Sequence, residues 1–142
     1  MRGDFVRAVG IVVILAALFL AATAPPGLAA DISCPLAAEP EPRVVHIPVD
    51  LREVRRSQAA FEQGQQPWRV DPRVMAYVEI GTPLERDVQF EDVRVERETE
   101  TEAVVFGKGT RCWYRVSLRR PLGARSVWTP VEIEYGRAGS ER

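Results

Sequence analysis

The sequence predicts an α+β domain: two short N-terminal helices packed on an antiparallel sheet of about four strands. Three observations predict it. Two helix-start signals, Asp50 with Glu53 and Asp71-Pro72, stand in the first half. The spacing of apolar residues then changes from the helical period to alternation. Gly107-Lys108-Gly109-Thr110 separates two apolar runs and gives the clearest hairpin in the chain.

Residues 1–30 read as a signal peptide. Arg2 and Arg7 form a basic start, and the 23 residues from Ala8 to Ala30 carry no charge. Pro25-Pro26-Gly27 breaks the apolar run, and Ala29 and Ala30 offer a small-residue cleavage site. Two alternatives stay open. The run is long enough to span a bilayer as a retained anchor. Cys34, preceded by Ser33, is the third option as an acylated cysteine, although Asp31 stands where such a site favours an aliphatic residue.

Residues 31–49 form an extended, Pro-rich arm with Pro35, Pro40, Pro42 and Pro48, in which Val44 to Ile47 can make a short edge strand with His46 outward. A single α+β domain follows over 50–135. Asp50 caps the first helix, whose stripe of Leu51, Val54 and Phe61 is interrupted by Gln58, and Gly64 stops it. A linker holds Trp68 and Arg69, with Trp68 a plug between helices and sheet and Arg69 paired to an acid. The second helix buries Val74, Met75 and Val78 and ends at Gly81.

Alternation at Val88 and Phe90, then out of phase at Val93 and Val95, predicts strand with a bulge or tight turn at Glu91-Asp92. Glu98, Glu100 and Glu102 alternate with threonines, so they share one strand face. Ala103 to Phe106 is a strand. In the next, Cys112, Tyr114, Val116 and Leu118 line one face, with Trp113, Arg115, Ser117 and Arg119 on the other. Val127 to Tyr135 is the last strand, and residues 136–142 are a polar, disordered tail. Small cystatin-like or NTF2-like folds have this general order of elements, a topological comparison that does not fix function.

The chain has 142 residues and a formal net charge of −1. That balance argues against general nucleic-acid binding, which needs a basic excess. Two cysteines in an exported chain read as one disulfide, Cys34 to Cys112. Closing so long a loop contributes about 4–5 kcal/mol in the chain-entropy account. A catalytic cysteine would need His46, the only histidine. No hydrolase, phosphate-loop or metalloprotease motif is present, a single histidine gives no metal site, and no cofactor is implied.

The segment Gly64-Gln-Gln-Pro-Trp-Arg-Val-Asp-Pro-Arg-Val-Met-Ala76 resembles one in small uncharacterised exported bacterial proteins, where a Gln-Pro-Trp-Arg-x-Asp-Pro run precedes a short helix. Cys112-Trp-Tyr-Arg-Val-Ser-Leu-Arg-Arg-Pro121 and Val127-Trp128 are similar to the hairpin and Trp strand that follow there. The resemblance covers about half of the chain after residue 30. It implies an exported bacterial domain and carries no activity.

The candidate site is an exposed patch of Trp113, Arg115 and Arg119, with Trp68-Arg69 second. Guanidinium groups beside an indole suit an acidic sugar, a phosphate or an acidic protein. The expected function is therefore non-catalytic binding of a protein or cell-envelope component. One alternative is a small hydrolase or ligand pocket between helices and sheet, with Asp71 or Asp92 as its carboxylate. The other is a membrane-tethered accessory subunit, if the N-terminal segment is retained or Cys34 is acylated.

Overall fold

The computed structural model describes Cys34, residues 42–81 and residues 88–141. Residues 1–30, on which the signal-peptide reading falls, lie outside the described residues. The elements are β1 (Arg43–His46), α1 (Leu51–Glu62), α2 (Pro72–Gly81), β2 (Val93–Glu98), β3 (Glu102–Lys108), β4 (Cys112–Arg119) and β5 (Thr129–Arg137). Short 3-10 turns occupy Pro67–Val70 and Phe90–Asp92. The strands form one sheet in the order β1-β5-β4-β3-β2, with every neighbouring pair antiparallel. The architecture is α+β as expected, with five strands rather than about four: the Pro-rich arm adds β1 at the edge.

Both helix starts are built as their sequences specify. The Asp50 carboxylate accepts from the Arg52 backbone N–H at 2.9 Å, and that bond, first among the causes, holds its pKa below the usual value. Asp71 accepts from the amides of Arg73 and Val74 at 2.9 and 3.2 Å. Gln58, which breaks the apolar stripe of α1, has a partner there: its Oε1 accepts the Val127 amide at 2.9 Å. It ties α1 to the segment entering β5, and Val54 is the buried residue of that helix.

The core lies between α2 and the inner sheet face. Met75 and Ala76 pack on Val105, Tyr114, Val116, Leu118, Ile133 and Trp128, all buried. Trp128 is fully buried, yet its indole N–H is satisfied by the Val70 carbonyl at 3.0 Å. Trp68 is half-buried against this cluster, in the plug position expected of it.

Two cross-strand pairs set aromatic rings against glycine. Gly107 faces Tyr114 on the inner side and Gly136 faces Trp113 on the outer side. A Cβ on Gly107 would lie 2.0 Å from Tyr114 Cε2, and one on Gly136 would lie 2.8 Å from Trp113 Nε1. Glycine is required here for space, because the rings lie flat over the neighbouring strand.

Four expectations are corrected. Val88 and Phe90 are not in a strand: Val88 is buried before β2, and Phe90 to Asp92 form the 3-10 turn. Arg73 holds that turn by donating to the carbonyls of Phe90 and Val93, each at 2.6 Å, with its guanidinium 3.9 Å from the Phe90 ring centre. Glu98, Glu100 and Glu102 do not share a strand face, because β2 ends at Glu98 and the chain turns, with Thr99 Oγ1 accepting the Glu102 amide at 3.0 Å. The segment from Gly136 is not a free tail. The strand continues to Arg137, Ala138 donates to Arg111 at 2.7 Å, and Ser140 reaches Trp113. Arg69 pairs with the side chain of Gln66 rather than an acid.

Candidate functional site

Helix α2 covers the inner sheet face, and the candidate residues of β4 lie on the outer face. Alternation places Trp113, Arg115, Ser117 and Arg119 of β4 there, as expected. Beside them stand Phe106 and Val104 of β3, Glu134 and Glu132 of β5, and His46 of β1. The structure brings β4 candidates together but does not make them the exposed patch that was expected.

Trp113 is only 3% exposed. Its ring stacks on Phe106 with centroids 6.4 Å apart and lies over Gly136, while its N–H donates to Ser140 Oγ at 3.1 Å. The returning C-terminal turn covers it, a contact that polar residues after the last strand did not signal. An indole so enclosed is not available to a ligand.

Arg115 spans two strands. Its Nε donates to Glu96 at 2.7 Å and its Nη1 to Glu134 at 2.9 Å. The hydrogen bond to Glu96, first among the causes, raises its pKa, so it stays charged at any relevant pH. The guanidinium also lies 5.6 Å from the Trp113 ring centre and 5.8 Å from that of Phe106. Two carboxylates already neutralise it, which leaves little attraction for a further anion.

Arg119 is different. It stands 3.4 Å from Glu102, and both side chains are at least half exposed, so the pair is weak. Together with Arg97, Ser117, Glu132 and His46 it lines a shallow trough of about 270 Å³ at the end of the outer face. Arg97 was not among the sequence candidates. Its place depends on the bulge between Val95 and Arg97, which shifts its register to face Val104. The run Val93-Arg-Val-Glu-Arg-Glu gave no signal for that shift. Trp68-Arg69 lies elsewhere: Arg69 sits over the Trp68 ring at 5.0 Å, and its carbonyl accepts the Trp128 amide, so the pair holds the linker to the core.

The trough contains a serine, a glutamate and a histidine in one row, Ser117–Glu132–His46. His46 Nδ1 lies 3.0 Å from Glu132. The carboxylate stands between the hydroxyl and the imidazole, whereas nucleophile activation needs the imidazole in the middle. This order supplies no activated serine. Asp71 is occupied in capping α2, and Met75, Tyr114 and Trp128 fill the space beneath that helix. Among the described residues no three His, Cys, Asp or Glu side chains converge on a metal position.

The Cys34–Cys112 disulfide is formed, with Cα atoms 5.8 Å apart. Among the described residues no helix is long and apolar enough to cross a membrane. The chain matches no family model, no curated protein and no solved structure.

Proposed function

We propose that the chain is an exported, non-catalytic domain that binds a protein or cell-envelope partner through the outer sheet face. One observation carries this reading: among the described residues no helix lies over that face, and it ends in a trough where Arg97 has no ion-pair partner among them. Positive and negative side chains are interspersed across it, which suits a protein surface better than a polyanion. Export is supported by the signal-like residues 1–30 and by the disulfide, which persists in oxidising compartments.

The test is capture from cell-envelope material by the immobilised oxidised domain. Wild type, an Arg97→Glu/Arg119→Glu variant and an Arg55→Glu control on α1 are compared after circular dichroism has shown equal folding. The expected result is a partner retained by wild type and control and lost from the trough variant. Equal retention by all three, or by none, refutes binding through this face.

A further inference from the structure

We propose that the Cys34–Cys112 disulfide is a latch on β1, and that reduction opens the edge of β5 as an acceptor for the β1 strand of a second copy. The latch follows from unequal strands. β1 has four residues and covers a nine-residue β5. Its own sequence holds it weakly: Val44 is 47% exposed, and only Val45 and Ile47 reach the core, each partly buried. Pro42 and Pro48 bound it, and neither can donate to a ladder. Cys112, on β4, lies beyond β5 from β1, so the disulfide joins Cys34, nine residues before β1, to the strand on the far side of β5.

Covered, β5 is a protected strand. Uncovered, it is a long edge with Val131, Ile133 and Tyr135 on its core side, the kind of edge that pairs with another extended chain. The other sheet edge has its own protection, a bulged and charged β2 whose Val93 carbonyl is taken by Arg73. The occupant that fits the β5 edge is the segment it already pairs with. In a second copy that strand is joined to α1 by Ile47-Pro48-Val49-Asp50 only, and a short hinge with proline favours exchange between copies.

The opening step balances simply. A dithiol reductant gives two electrons and two protons, the S–S bond breaks, Cys34 and Cys112 become thiols, and the reductant closes to its own disulfide.

The ladder provides a residue-resolved test. Ile47 donates to the Val131 carbonyl at 2.8 Å. Antiparallel alternation then turns the amides of Val131, Ile133 and Tyr135 toward β1 and those of Glu132 and Glu134 toward β4. Amide hydrogen exchange by NMR is compared for the oxidised chain, the reduced chain and Cys34→Ser, all dilute. Protection at 131, 133 and 135 should fall at least about tenfold while 132 and 134 keep theirs. Light scattering of the reduced chain should then show a dimer that grows with concentration, and that restores protection at the same three amides.

Unchanged protection on reduction overturns the latch. Equal loss at all five amides also overturns it, since the disulfide would then support the whole sheet. A selectively opened edge on a chain that stays monomeric at every concentration overturns the second copy as occupant.

Discussion

Replacing Gly107 by alanine tests the sheet geometry most sharply. The added Cβ would stand 2.0 Å from Tyr114 Cε2, 2.7 Å from Cζ and 2.9 Å from the hydroxyl. Carbon atoms in contact prefer about 3.5–4.0 Å, so the ring must move by about 1.5 Å. Tyr114 is fully buried at the centre of the core, with Val116 and Tyr135 beside it, so it has nowhere to go without moving neighbours. Overpacking of this kind costs about 1–3 kcal/mol, and the backbone on one side of the clash puts this case near 3 kcal/mol. In a domain of this size that lowers Tm by roughly 12–24 °C. Urea unfolding followed by tryptophan fluorescence measures it, because Trp113 is in the strand paired with the mutated one. The double variant Gly107→Ala/Tyr114→Leu removes the ring that clashes and should be more stable than the sum of the two single losses. A Gly107→Ala protein within about 0.5 kcal/mol of wild type, or a double variant with strictly additive losses, refutes the reasoning.

Three further outcomes follow from other contacts. Gln58→Leu leaves the buried Val127 amide without its acceptor and should cost about 1–2 kcal/mol in urea melts, while Gln58→Glu keeps the acceptor and should cost less. Arg73→Lys loses the fork that serves Phe90 and Val93 together, so it should destabilise by about 1–2 kcal/mol and speed exchange of the Asp92 amide, where a charge-only role predicts no change. The hydrogen bond from Lys108, at 2.6 Å, is the largest cause that lowers the Glu141 carboxyl from 4.5 to about 2. A depressed folded pKa stabilises fully above the unfolded value, so the stability gap between wild type and Glu141→Gln should hold above pH 4.5 and close as pH falls through about 2. A gap that ignores pH across that window would rule out the Lys108 pair as its source.

Local signals were legible wherever the chain states its structure within a few residues. Asp50 and Asp71 announced their helices, and alternation from Cys112 to Leu118 assigned both faces of β4 correctly. The losses came where a distant contact decides. Val88 and Phe90 alternate like a strand, but Arg73, from another helix, takes the carbonyls of Phe90 and Val93 and closes a turn instead. Trp113 was placed on the correct face, but its exposure depended on Ser140 returning over it, across 27 residues of sequence. Arg115 looked available because Glu96 and Glu134, its partners, lie on strands on either side of β4 rather than beside it in the chain. Gln58 looked like a flaw in an apolar stripe because the Val127 amide it satisfies is in another element.

The arginines show how this bears on recognition. Lys108 is the only lysine, so a surface reading of the sequence meets guanidinium groups at every turn. Arg73 uses two nitrogens on two carbonyls while lying on Phe90, and Arg120 donates to Ala124 and Glu100 while lying 4.1 Å from the Trp128 ring centre. Arg115 bridges two glutamates beside two rings. Each task needs several donors in a plane together with a flat face for stacking, which an ammonium group does not offer. These arginines are fasteners, and their number says nothing about phosphate or nucleic acid. Subtracting them from the outer face leaves Arg94, loosely paired with Glu96 over the Phe106 ring, and, at one end of the face, Arg97 and the loosely held Arg119. A partner that docks there meets two guanidinium groups flanked by Glu102 and Glu132, so its affinity should depend on placing one carboxylate between the arginines and keeping others away.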